Sequence, residues 1–161
     1  MSGKVSPVPA GFHTLTAHII VNDSRKATEF YKQAFGAEVL GIAEAPDGKV
    51  MHALVKIGDS MLMLNDEFPE WHVLSPTSTN AQTAVNLHLY VEDADKVYAA
   101  AVAAGATPTM PLEDQFWGDR YGKLKDPFGH TWAIATHIKD QGPEEMKAAQ
   151  DEAMAKMPTH Q

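Results

Sequence analysis

At 161 residues, 44% of them hydrophobic and 21% charged, the chain is sized for one globular domain or two closely packed half-domains. It has no cysteine, which excludes disulfides, thiolate nucleophiles and cysteine-held zinc. A net charge of −8 with only 13 scattered basic residues argues against nucleic acid, and no apolar run is long enough to span a bilayer.

Residues 1–12 (MSGKVSPVPAGF) lack the basic start and apolar stretch of a secretory signal and read as a flexible arm. A cytoplasmic protein is the expectation. Residues 14–21 are β-branched and apolar, as in a buried strand. Asn22-Asp23-Ser24 then offers helix-capping chemistry. Ala27, Phe30, Tyr31, Ala34 and Phe35 recur at helical spacing, and Gly36 closes that helix. Strands are predicted near 38–43, 50–57 and 61–64, separated by turns at Pro46-Asp47-Gly48 and Gly58-Asp59-Ser60. A polar stretch follows, which makes 65–84 a linker between a first module at 13–64 and a second at 85–138.

The second module repeats the order of the first. A strand at 85–91, a cap at Glu92-Asp93, a helix at 96–104 closed by Gly105, and strands near 107–110, 122–125 and 131–136 are expected. Thr16-x-His18-x-x-Val21-x-Asp23 matches Asn86-x-His88-x-x-Val91-x-Asp93 at a constant offset of 70, as does Met61-Leu-Met-Leu64 against Thr131-Trp-Ala-Ile134. The fold class is therefore α+β, with two βαβββ modules whose curved mixed sheets form a ligand cavity. Residues 139–161 make a C-terminal helical tail, with Met146, Ala149, Ala153 and Met157 as a narrow apolar stripe. Strand alternation puts Ile19, Val21, Leu87, Leu89 and Val91 under the helices, and His18 and His88 on the opposite, cavity faces.

Three stretches carry a family resemblance: Ala17-His-Ile-Ile-Val-Asn-Asp23 with Glu29-Phe-Tyr-Lys-Gln-Ala-Phe-Gly-Ala37; Leu87-His-Leu-Tyr-Val-Glu-Asp93 with Ala103-Ala-Gly-Ala106; and Phe116-Trp-Gly-Asp-Arg-Tyr-Gly122 with Asp126-Pro-Phe-Gly-His-Thr-Trp132. Over about residues 12 to 138 the chain resembles the glyoxalase/bleomycin-resistance/dioxygenase (vicinal oxygen chelate) superfamily, and within it the phosphonate-operon-protein-B-like branch. Some members of that branch carry a methyltransferase label, but no glycine-rich nucleotide loop is present here.

The resemblance implies a protein that handles a small organic molecule, in a cavity completed within one chain or across a dimer; a homodimer is the expectation. The resemblance also implies a divalent metal held by His or Gln and Glu, which chelates vicinal oxygens. Carried onto this chain, those four positions are Thr16, Met63, Asn86 and Ala133, none of them a strong ligand. The expectation is a binding protein with no cofactor. The alternative is a metal-dependent lyase, isomerase or dioxygenase built on His18 and His88 with a third donor such as His52.

Pseudo-twofold symmetry would bring His18 and His88 together on the cavity floor, either as wall-supporting imidazoles or as general bases. Trp117, Arg120 and Tyr121 complete the candidate ligand-binding set of His18, His52, Met63, Asn86, His88, Trp117, Arg120 and Tyr121. Arg120 could instead be spent on a neighbouring acid, and the face of His52 depends on strand register. His72, His137 and His160 are expected in solvent, Trp132 in the helix-facing core, and Phe68 and Trp71 as a lid or as anchors of the linker. No catalytic residue is assigned.

Overall fold

The structure, a computed structural model, describes residues 5–157. Strand β1 (Ala17–Val21), helix α1 (Ser24–Phe35) and strands β2 (Glu38–Glu44), β3 (Val50–Ile57) and β4 (Ser60–Asp66) form the first module. A short 3-10 turn (Pro69–Trp71) and helix α2 (Pro76–Thr79) lie in the connection. Strand β5 (Asn86–Tyr90), helix α3 (Ala94–Ala104) and strands β6 (Thr107–Asp114), β7 (Asp119–Lys125) and β8 (Thr131–His137) form the second, followed by helix α4 (Pro143–Ala155). The sheets run β1-β4-β3-β2 and β5-β8-β7-β6, each with one parallel pair and two antiparallel ones. Two βαβββ modules and a C-terminal helix are what the repeat predicts. His160 lies outside the described residues.

Matching chemistry starts both helices. The Asp23 carboxylate accepts from the Lys26 amide at 3.0 Å, and that of Asp93 from Lys96 at 2.9 Å. Each helix ends on a glycine in the left-handed region, Gly36 at φ 66° and Gly105 at φ 118°. Beneath α1 and α3 lies one core that takes in Val21, Phe30, Tyr31, Leu64, Leu124, Trp132 and Ile134. Burying a side chain of that size stabilises the fold by about 1.5–3 kcal/mol.

The offset of 70 pairs Ala17 and Leu62 with Leu87 and Trp132, which are register partners within each sheet. It falls to 69 between the helix ends, because α3 has 11 residues where α1 has 12. Between the equivalent register pairs Lys56↔Met61 and Lys125↔Thr131 the connection holds five residues in the second module against four in the first, which restores 70.

The modules also meet through polar contacts. Asp126, buried in the second module, accepts from the Tyr31 hydroxyl at 2.7 Å and from Trp132 Nε1 at 2.8 Å. Its other oxygen takes the amides of Phe128 and His130, both at 2.9 Å. His130 Nε2 donates to the Ile20 carbonyl at 2.8 Å, on the free edge of β1. The outer strands β2 and β6 both carry register breaks, at Val39/Gly41 and Ala43/Glu44 in β2 and at Pro108/Met110 and Met110/Glu113 in β6.

Candidate functional site

Each sheet has a concave face turned away from the helices, and pleating decides what lies on it. In β7, Gly122 and Leu124 point into the core: a Cβ on Gly122 would strike Leu112 and Tyr98, and Leu124 is fully buried. Asp119, Tyr121 and Lys123 therefore take the other side. Across the second sheet the register sets His88, Ala133 and Lys123 in one row, and Tyr90, Ala135, Tyr121 and Glu113 in the next. The middle strand contributes only alanines at these two rows, so rings from either side lean over it. His88 lies 4.6 Å from the Tyr90 ring and 5.7 Å from the Tyr121 ring, centroid to centroid. Trp117 meets Tyr121 edge-on at 5.4 Å. Ala133 and Ala135 are buried under this layer, while Tyr90 is 65% exposed on top of it.

Asp119 holds the layer in place. Its side chain is buried and accepts from Tyr90 Oη (2.9 Å), Trp117 Nε1 (3.0 Å) and His137 Nδ1 (2.8 Å). His137 Nε2 in turn donates to Asp140 at 3.0 Å. Desolvation pushes the Asp119 carboxyl up, but the three donors outweigh it and hold the pKa below its ordinary value. Bonds to Asp119 and then Asp140 raise the pKa of His137, and the bond to Asp119 raises that of Tyr90. Desolvation among its neighbouring rings lowers the pKa of His88, against the pull of the Asp119 charge. Neither Asp119 nor His137 belongs to the ligand-binding set expected from sequence. His137, expected in solvent, closes β8 and is half-exposed.

The first sheet repeats the motif with fewer rings. His18 and His52 share its concave face at 6.0 Å between centroids, the counterparts of His88 and Tyr121 at offsets of 70 and 69. This settles the register of His52. His18 Nε2 donates to Asn65 Oδ1 at 2.6 Å, and half-buried Met63 sits beside it in the parallel pair with β1. The sequence places Asn65 first in the linker, whereas it belongs to β4.

Arg120, expected on the cavity wall, does not line it. It lies on the helix side of β7, where its guanidinium forks onto Asp95 (2.6 and 2.7 Å) and reaches Asp114 (3.0 Å). Those bonds raise its pKa and take it out of the cavity wall. Nor do His18 and His88 converge. They belong to separate sheets, and His18 borders a cavity of about 410 Å³ under Leu74 and Pro76, whereas His88 borders another of about 450 Å³ with Met61 and Asn86. Phe68 is buried, with Trp71 stacked on it at 5.0 Å, so this pair anchors the linker.

The residues do not fit the superfamily's metal. Thr16, Met63, Asn86 and Ala133 supply no carboxylate or imidazole. Among the described residues no three His, Asp or Glu side chains gather closely enough to hold an ion elsewhere. The His18–His52 pair has Asn65 as its polar neighbour rather than an acid.

Two paired βαβββ modules, each a four-stranded mixed sheet with a helix on one face, define an architecture of the vicinal-oxygen-chelate type. The family model described as Glyoxalase/Bleomycin resistance protein/Dioxygenase superfamily matches residues 11–134, and the chain belongs to that superfamily. An uncharacterized protein of Mycobacterium tuberculosis (strain ATCC 25618 / H37Rv) is 42% identical over 138 residues, which is 84% of this chain and 81% of the relative. Among solved structures, a putative 3-demethylubiquinone-9 3-methyltransferase, PhnB protein, from Bacillus cereus is similar at a TM-score of 0.57 and 19% identity, covering 77% of this chain and 99% of that one. The fosfomycin resistance protein FosX from Mesorhizobium loti is similar at 0.58 and 14%, covering 77% and 91%. At these identities the two structures share the fold alone.

Proposed function

We propose that the protein binds a small, flat organic molecule on the concave face of the second sheet, without a divalent ion at the superfamily's usual positions. The layer formed by His88, Tyr90, Tyr121 and Trp117 carries this reading. It offers ring faces on which a ligand can stack, and Asp119 fixes two of the rings before any ligand arrives. Such preorganisation spares the ordering cost that floppy side chains would exact on binding. FosX, with the same fold, is a fosfomycin resistance protein, which supports small-molecule handling as a use of this architecture. The chemistry at the four standard positions supports metal-independent binding.

Calorimetric titration of EDTA-treated protein with a panel of bicyclic aromatic compounds tests the proposal. Binding should persist in EDTA, and Tyr121→Ala should weaken it about tenfold, the size expected for losing one stacked ring. Binding that appears only on adding a divalent ion would overturn it. Closure of the open concave faces by a second copy fits the expected homodimer, and sedimentation equilibrium tests that point.

A further inference from the structure

The charges on the second sheet's concave face are not those of the molecule as a whole. The protein carries −8 overall, yet β7 turns Tyr121, Lys123 and Lys125 to this face. Among the described residues, neither lysine's ammonium makes a hydrogen bond or ion pair with the protein. Facing them are Asp119, already saturated by three donors, and Glu113, the register partner of Tyr121. His88, Tyr90 and His137 are the other titratable neighbours: burial favours neutral His88, the bond to Asp119 favours the protonated Tyr90 hydroxyl, and His137 is spent on Asp119 and Asp140. Arg120, which could have competed for an anion, is turned to the helix side and held by two carboxylates.

Lys123 stands in the row of His88 with buried Ala133 between them, two strand spacings or about 10 Å apart at the backbone. A lysine stem spans much of that gap, so its ammonium can reach the rim of a ring lying on His88 and Tyr121.

We propose that the molecule bound here is a flat aromatic anion of the aryl carboxylate class, its rings on His88, Tyr121 and Trp117 and its carboxylate on Lys123. The proposal rests on the binding reading above and adds the sign of the ligand's charge. Ring faces alone would also attract a cation; the two unpaired ammonium groups against one free carboxylate decide for the anion.

The experiment is calorimetry in EDTA at fixed ionic strength with 2-naphthoate, 2-naphthamide and N-methylquinolinium. 2-Naphthoate should bind about tenfold tighter than the amide, the size of one partly exposed charge-assisted contact. Lys123→Gln should erase that gap and leave amide binding unchanged, while Lys123→Arg keeps the gap, with folding of each variant checked by thermal denaturation. If the amide or N-methylquinolinium binds as well as 2-naphthoate, or if Lys123→Gln leaves the gap intact, the inference fails and the binding reading stands. If none of the three binds, both fall.

Discussion

The carboxylate of Asp119 is the most connected side chain of the site, and its partner His137 gives it a pH signature. His137 has both ring nitrogens donating to carboxylates, an arrangement available only to the protonated ring. Its pKa in the folded protein lies above the ordinary 6.5. The stabilisation is therefore complete below about pH 6.5 and is lost as pH rises through the raised folded value. Asp119 behaves oppositely: its lowered pKa gives stability above the ordinary 3.8 that disappears as pH falls through the folded value. His137→Gln should accordingly lower the Tm at about pH 6, with the deficit shrinking by about pH 8. A deficit that stays constant across that range in thermal melts would show that the ring acts without its charge. Asp119 escapes sequence reading because the strand is expected only near 122–125; the observed start at Asp119 reveals which residues share a face. The partners of Arg120 were equally hidden, since Asp95 lies 25 residues away in sequence.

At the level of elements, the clasp between α1 and the β7–β8 loop ties one module to the other. Tyr31→Phe removes one donor from the buried Asp126 and should cost about 1–3 kcal/mol. Asp126→Ala leaves both Tyr31 and Trp132 without an acceptor and should cost more, on the order of 3 kcal/mol. Urea denaturation measures both, and near-zero losses would mean that water replaces the carboxylate. The elements themselves were legible: caps, closing glycines and turn residues mark both modules, and the offset of 70 marks their kinship. The slip to 69 is visible at the closing glycines, Gly36 and Gly105. Where the offset returns to 70 is not legible, and the strand register locates it in the β7–β8 connection. The same difficulty left the face of His52 open, because β2 pairs with β3 through two irregularities.

Across the whole molecule the two sheets share one apolar core, α1 packs on α3, and His130 grips the edge of β1. Neither module should survive the loss of the other. Far-ultraviolet circular dichroism and near-ultraviolet tryptophan signals should therefore report a single coincident transition in denaturant. Two separated midpoints would indicate modules that unfold independently.

The irregular outer strands also bear on how the protein behaves when concentrated. All seven residues of β2 are exposed, and a straight rim of that kind would invite another chain to zip onto it. Two breaks in its hydrogen-bond ladder kink that rim, while Pro108 and Pro111 each deprive the opposite rim of an amide proton. Filament growth by strand addition is blunted at these two rims.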